Sequence, residues 1–245
     1  RFVQEAYYSH FSARRATRAG DALNARFRAD ARRLILAGPE AGPEAGAQRI
    51  LDVGPGRGQW MDELSALGHQ VIGLDLSRDL CKLLSKQGRP VAQASGTALP
   101  FLQDQFDVII AMHLVEHLET YSDVLEFFCQ CRMTLRPGGR LAIACPNYLA
   151  WREYFYDVDN SHHYPATSYR LNQVAKDAGL TTTRVQIYAG PFRSWPVRVV
   201  CRAILWAWPR RLFAERSWRG GIWEKLHKMA PAISESILLV IERPT

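Results

Sequence analysis

The rhythm of apolar positions changes several times along this chain, and each change marks an element. From Arg49 onward, short apolar runs alternate with helical spacing: RILDV, a glycine loop GPGRG, QWMDELSALG, then HQVIGLD and SRDLCKLLSKQG. That order predicts parallel strands joined by crossover helices, hence a sheet covered on both faces. Further strands are expected at 90–94, 106–111 and 139–145, with a helix at about 122–134. Residues 168–178 put Leu171, Val174, Ala175 and Ala178 on one helical face and stop at Gly179. Strands at about 181–189 and 235–243 follow, and the long stretch between them is more than a bare α/β sheet requires. Upstream, residues 3–36 read as one or two Ala/Arg-rich helices interrupted near Gly20, with Asp21 as a cap, and GPEAGPEAG at 38–46 reads as a linker. The expected organisation is an N-terminal helical cap and linker (1–47), an α/β domain (48–245), and a helical insertion at 190–234 within it.

With 245 residues, 47% hydrophobic and 22% charged, the composition excludes disordered, collagen-like and coiled-coil classes. No apolar run of about 18 residues occurs, so a transmembrane helix is not expected. Five cysteines without a C-x-x-C pair point to reduced thiols, and RFVQEAYYSHFSARR lacks the apolar centre of a signal peptide. A cytoplasmic location is the expectation. The net charge of +7 is uneven: residues 1–33 carry 8 Lys/Arg against 3 acids and residues 191–245 carry 10 against 4, while the middle carries 13 against 17. Two basic ends around an acidic centre suit anionic surfaces or substrates met by appendages better than a nucleic-acid clamp, so no specific nucleic acid is expected.

Asp52, Gly54, Gly56 and Gly58 form D-x-G-x-G-x-G where a strand enters a helix. Glycines let a ligand approach the backbone closely, and the helix start offers free N–H groups. A nicotinamide site wants G-x-G-x-x-G, but position 59 is Gln. VIGLD ends the next strand in Asp75, placed to accept ribose hydroxyls. With these motifs on the page, the sequence resembles the class I S-adenosylmethionine-dependent methyltransferases from about residue 49 to 189 and again at the last strand. ILDVGPGRG and VIGLDLS look like the cofactor motifs. SGTALPF and FDVIIAMHLVEHL are similar to the branch of quinone and small-molecule methyltransferases, and LRPGGRLAIACPNY and HHYPATSYRLNQVAKDAGL resemble its fifth strand and substrate-side loop. The resemblance implies a Rossmann-like fold with a mostly parallel seven-stranded sheet and an antiparallel last strand. It also implies S-adenosylmethionine as cofactor, with S-adenosylhomocysteine as product. The cofactor residues it implies are Asp52, Gly54, Gly56, Gly58, Asp75 and Leu76, Ser95 where an adenine-binding Asp often stands, Met112 at the sulfonium end, and Ala98 or Leu99 as an apolar wall.

Methyl transfer needs an aligned acceptor, and a base only where the acceptor must lose a proton. His162 and His163 in the loop, then His113, are the candidate bases; His117 can instead orient a backbone carbonyl. HLVEH matches the H-x-x-E-H zinc-protease string, yet it follows an apolar strand rather than lying within a helix. A divalent ion on acidic residues, which some quinone methyltransferases similar in this segment hold, would meet His113 at the first acid position, so no metal is expected. Cys145 invites comparison with cytosine-5 methyltransferases, but no Pro-Cys accompanies it, and it reads as a small buried residue. The insertion holds five of the seven tryptophans, Trp195, Trp206, Trp208, Trp218 and Trp223, among Arg193, Arg198, Arg202, Arg210, Arg211, Arg216 and Arg219. It reads as a lid or dimer contact packed on the core, or as a surface for an amphipathic anionic acceptor or membrane headgroups. The expected function is methylation of a hydroxyl, less so an amine, on a small-molecule, glycan or lipid-intermediate acceptor. The alternatives are a quinone O-methyltransferase and a methyltransferase-like binding module.

Overall fold

The computed structural model describes residues 18–36, 46–227 and 229–245, the side chains of 18–23, 210 and 211 excepted. The helix expected over 3–17 and, apart from Gly46, the linker at 38–46 lie outside these residues. Helix α1 (Arg18–Leu36) is followed by β1 (Arg49–Val53), α2 (Gln59–Ala66), β2 (Gln70–Asp75), α3 (Arg78–Lys86), β3 (Val91–Gln93) and β4 (Phe106–Met112). Then come α4 (Tyr121–Thr134), β5 (Leu135–Pro146), two helical turns (Tyr148–Trp151 and Tyr154–Asp157), α5 (Ser168–Asp177) and β6 (Thr181–Ala189). The stretch before the last strand, β7 (Glu235–Glu242), holds α6 (Trp195–Ala207), α7 (Arg210–Ser217) and α8 (Gly221–His227).

The seven strands lie in the order β3-β2-β1-β4-β5-β7-β6, parallel except that β7 runs antiparallel to both neighbours. The order reverses between β1 and β4, which opens a crevice above their C-terminal ends. Side-chain alternation sorts the core onto two faces. Leu51, Ile109, Leu141 and Ile143 pack against α4 and α5, among Phe127, Phe128, Leu171 and Val174. Their neighbours Ile50, Val108, Ile110, Ala142 and Ala144 face the other way, onto Trp60, Met61 and Leu64 of α2 and Ala31, Leu34 and Ile35 of α1. Helix starts follow side-chain chemistry: Thr120 and Asp123 form a reciprocal capping box on α4, and Ser77 and Thr167 cap α3 and α5.

The interruption expected near Gly20 is absent, because α1 runs through Gly20 and Asp21 and no second helix starts there. A helical glycine costs about 1 kcal/mol relative to alanine, and the burial of Ala31, Leu34 and Ile35 against the sheet offsets that cost. Helix α1 is also pinned by charge, since Arg28 and Arg32 both bind Glu63 of α2 and the Tyr188 hydroxyl donates to Asp30 at 2.7 Å.

The insertion has two unlike faces. Leu205 and Ala230 pack with Trp151, Tyr154 and Phe155 from the turns after β5. Beneath them Glu235, 1% exposed, receives Arg202 at 2.8 Å and Arg198 at 3.3 Å on one oxygen and Asn147 at 3.0 Å on the other. Burial alone would raise this carboxyl, but the bond and charge of Arg202, then Arg198 and Asn147, outweigh it and hold the pKa below its ordinary value. Arg198 and Arg202 are thus paired within the chain to Glu235, as the packing alternative implies, although the Arg202 side chain remains 58% exposed. The outer face carries Trp195, Val199, Val200, Ile204, Trp206, Trp218 and Ile222, all exposed, with Trp206 at 89%. Among the described residues no helix is long and apolar enough to cross a membrane.

Truncating Glu235 to Ala leaves Arg198 and Asn147 without their partner and is expected to destabilise the fold by about 3 kcal/mol, the low end for a broken buried pair because Arg202 is half exposed. Urea unfolding of the variant against the parent checks this.

Candidate active site at the strand tips

Beyond β1 the chain turns through Gly54, Gly56 and Gly58, all at positive φ. At Gly58 (φ +77°) a Cβ would lie 2.9 Å from both Leu84 and Arg89, and at Gly54 a Cβ would lie 3.2 Å from Leu114. The loop is thus held against α3 on one side and against the chain beyond β4 on the other. Gly58 gives α2 no side-chain cap, so the helix start is left to backbone and ligand.

Two acids stand at these tips without a cationic partner. Asp52 is 1% exposed and its Oδ2 has no hydrogen bond; burial, then the Asp75 charge, pushes its pKa up to about 8. Asp75 is buried at the end of β2 and accepts the Ser77 N–H at 2.8 Å; burial lifts it to about 6 against the backbone bonds from Ser77 and Leu76. Leu76 is half exposed just beyond it. Ser95 lies past β3 with its hydroxyl 2.8 Å from that of Thr97 and accepting the Thr97 N–H. Leu99 is buried in the core, Ala98 is exposed, and Met112 ends β4 partly buried beside the α1–α2 cluster.

The histidines converge after β4. His113 sits at φ +60°, a conformation costing a β-carbon residue about 1–3 kcal/mol. Its N–H donates to Ala144 O at 2.7 Å, its side chain is 50% exposed, and its Nδ1 donates to Glu116 Oε1 at 3.0 Å. Burial works to lower the His113 pKa, but the Glu116 bond and charge outweigh it and the net shift is upward. Glu116 is 1% exposed; burial works to raise it, yet His113 and then His117 bring it below the usual carboxylate value. The Glu116 carbonyl accepts the N–H groups of both His163 and Tyr164, so the loop after Asp157 hangs from it.

On that loop, His162 donates Nδ1–H to Phe155 O at 2.7 Å, stacks on the Phe155 ring at 4.6 Å, and lies 5.1 Å from the His117 ring. Burial lowers its pKa. His117 Nδ1 meets the Ser161 carbonyl at 3.2 Å and its hydroxyl at 2.9 Å, the carbonyl-orienting role expected of it. His163 is exposed, held to the turn by its backbone N–H alone among the hydrogen bonds described. The structure thus joins His113 and His162 through Glu116 and His117. Sequence reasoning weighed Glu116 only as part of a protease string and missed the aromatic wall of Tyr148, Phe155 and Tyr156, whose ring centroids lie 5.0–6.1 Å apart. A lone acid inside the apolar run LVEHL was the available signal. Cys145 is fully buried, and burial pushes its thiol well up, which suits a packing role.

Residues 51–143 match a family model described as a methyltransferase domain. The chain is 34% identical over 105 residues to a ubiquinone biosynthesis O-methyltransferase of Mesorhizobium japonicum, covering 40% of this chain and 41% of that one. A second, from Bradyrhizobium sp. (strain ORS 278), is 32% identical over 104 residues, 40% of each chain. The match spans about two fifths of the length of these relatives. Among solved structures, an S-adenosylmethionine-dependent methyltransferase from Mesorhizobium loti superimposes with a TM-score of 0.60 at 19% identity, over 90% of this chain and 100% of that one. A phosphoethanolamine N-methyltransferase of Haemonchus contortus in complex with S-adenosyl-L-methionine gives 0.61 at 18%, over 91% and 53%. The fold is the same in all of them.

Asp52 and Asp75 hold protons in the folded chain that the unfolded chain has released, from the ordinary carboxylate value up to about 6 for Asp75 and about 8 for Asp52. Without ligand, the contribution of these two acids to stability is therefore full at low pH and falls as pH rises through that window, opposite in sense to Glu116 and Glu235, whose lowered pKa values favour the fold above the ordinary carboxylate value. Thermal unfolding at about pH 5 and about pH 8 should show the lower midpoint at the higher pH, and Asp52→Asn should remove most of the difference.

Proposed function

We propose that this chain, which carries a class I S-adenosylmethionine-dependent methyltransferase domain, methylates a hydroxyl of a small-molecule, glycan or lipid-intermediate acceptor. The observation that carries the reading is the pair of buried acids without cationic partners, beside a glycine loop and opposite the histidine-bearing tip of β4. These residues fit the cofactor: a buried carboxylate with a free oxygen needs a positive or hydrogen-bonding group, and the loop leaves no room for a Cβ at Gly58. When bound, S-adenosylmethionine supplies an electrophilic methyl group on a sulfonium sulfur. Asp75 would accept from its ribose hydroxyls, Asp52 would lend negative charge beneath the loop, and Gly54, Gly56 and Gly58 would let backbone N–H groups approach. Leu76, Ser95 and Met112 are the further residues that would hold it.

Of the candidate bases, His113 is the one whose ring is both accessible and fixed. Glu116 takes its Nδ1–H, so the Nε2 lone pair points away from the carboxylate and can accept a hydroxyl proton, and Glu116 stabilises the imidazolium formed. His162 is tied to Phe155 and stacked on it, and His163 stands apart, which reverses the order of preference drawn from sequence. A quinone-type acceptor is the second reading. The names of the relatives favour it, as does Tyr156, 46% exposed beside Tyr148, which offers a ring for a flat acceptor to stack on. The exposed Trp195, Trp206, Trp218 and Ile222, with Arg219 beside Trp218, suit contact with an anionic membrane surface that would hold such an apolar acceptor.

Asp75→Ala should weaken S-adenosylhomocysteine binding at least tenfold, because each charge-assisted bond lost is worth about 1.5–3 kcal/mol. Calorimetry reads this, and binding of NADH with none of S-adenosylmethionine would overturn the assignment. With an acceptor in hand, His113→Ala should lower kcat by about 100- to 10,000-fold, and an unchanged rate would rule this base out. Replacing Trp195 and Trp206 with Ser should abolish co-sedimentation with vesicles rich in anionic lipid while leaving cofactor binding intact; if the parent chain does not sediment, the membrane contact fails.

A further inference from the structure

Away from the strand tips, a cleft of about 480 Å³ opens between the start of α4 and α5, walled by Tyr121, Tyr164, Tyr169, Arg170, Gln173 and Lys176. Its lining includes no residue of the glycine loop, neither Asp52 nor Asp75, and none of the histidines after β4. The fixed point of the cleft is Arg170. Its guanidinium lies 4.5 Å over the centroid of the Tyr164 ring, and its Nη1 donates to the Pro165 carbonyl at 3.1 Å. Burial raises the pKa of Tyr164, while the charge of Arg170 and its hydrogen bond to the Tyr164 hydroxyl act against that shift. Tyr164 is itself buried in the main core, so the arginine rests on a rigid base. A guanidinium carries five N–H donors, and these two bonds leave others over for a ligand. Asp177, the acid in the lining, accepts the Tyr121 hydroxyl at 2.7 Å, and among the described residues no carboxylate forms an ion pair with Arg170.

We propose that this cleft binds a phosphate ester carrying a base or a sugar ring, with the phosphate on Arg170 and the ring on Tyr169, at a site separate from the strand-tip crevice. A guanidinium held in place without counter-charge matches a phosphate in fork geometry, and its position is fixed before the ligand arrives. Lys176 stands exposed six residues further on, about 9 Å along the helix axis, and extends the positive field over the length of a ring-bearing ester. Tyr169 is 71% exposed and Tyr121 half exposed, so both rings are open to the flat side of a base or a sugar. Between the ends, the amides of Asn172 and Gln173 offer donors and acceptors for ring hydroxyls. The volume is that of a small-ligand site. Tyr164 donates its N–H to the Glu116 carbonyl at 3.1 Å, which joins the cleft through one residue to the turn after His113. The site stands independently of the methyltransferase reading.

The test uses the whole chain in saturating S-adenosylhomocysteine, which keeps a nucleotide out of the strand-tip crevice. Uridine monophosphate, glucose-1-phosphate and inorganic phosphate are titrated separately by calorimetry. At least one of the two esters should bind with one equivalent and at least tenfold more tightly than inorganic phosphate, and which of them does so tells a base-bearing ligand from a sugar-bearing one. Arg170→Gln and Tyr169→Ser should each weaken that binding at least tenfold, the first by removing the phosphate fork and the second by removing the stacking ring. S-adenosylhomocysteine affinity should be unchanged in both. Tyr169→Ser alters an exposed side chain and so serves as the test where loss of Arg170 disturbs Tyr164. The site is overturned when neither ester binds more tightly than inorganic phosphate, and equally when the bound ester keeps its full affinity in a folded Tyr169→Ser or Arg170→Gln chain.

Discussion

A carboxylate that is 1% exposed must be satisfied by its surroundings, and in this chain Glu116 organises everything that faces the acceptor. One oxygen fixes His113 in a left-handed conformation that the histidine would not adopt unaided. Its backbone carbonyl takes two N–H groups from the opposite loop, which brings His162 beside His117. The geometry of the cleft is therefore set by one residue of a single 3-10 turn, Val115–His117, placed where β4 leaves the sheet. The strain at His113 and the unpartnered second oxygen of Glu116 are two consequences of the same burial.

A second buried acid does the equivalent work for the insertion. Glu235 begins the last strand and binds Arg198 and Arg202 of α6 on one side and Asn147, next to β5, on the other, while its carbonyl takes the indole N–H of Trp151. The segment after β5 and the insertion before β7 are thus fastened to one point. That explains why Trp151, Tyr154, Phe155, Leu205 and Ala230 form a cluster of their own, separate from the two faces of the sheet. It also explains why the insertion is apolar on both sides: its inner face is a core and its outer tryptophans are left over for another surface.

How far all this was legible in the sequence follows from the range of the forces involved. Strands and helices came from local periodicity, and the boundaries of β1, β2 and α5 agree with it, whereas the antiparallel last strand was implied by the family resemblance and is observed. Asp52, the three glycines and Asp75 were readable because contiguous residues form the motif. Gly20 misled because its local cost is smaller than the tertiary burial of α1, and the roles of Arg198 and Arg202 were hidden because Glu235 is far from them in the chain. The joining of Glu116, His117 and His162 was equally out of reach: it depends on Ser161 and Phe155 meeting a turn more than thirty residues upstream.

The two ends of the cleft share one electrostatic design. At the cofactor end Asp52 and Asp75 are buried without counter-charge and drift toward protonation, so a cationic ligand both gains their attraction and relieves their desolvation. At the acceptor end Glu116 is buried too, but two histidines keep it ionised, so negative charge persists there whether or not a ligand is bound. Asp52 and Asp75 wait for a cation while Glu116 is already charged, so the two ends of the cleft do not treat their ligands alike. On the proposed reading, a cation that binds beside Asp52 and Asp75 displaces protons that the free chain holds there, so its binding is coupled to proton release.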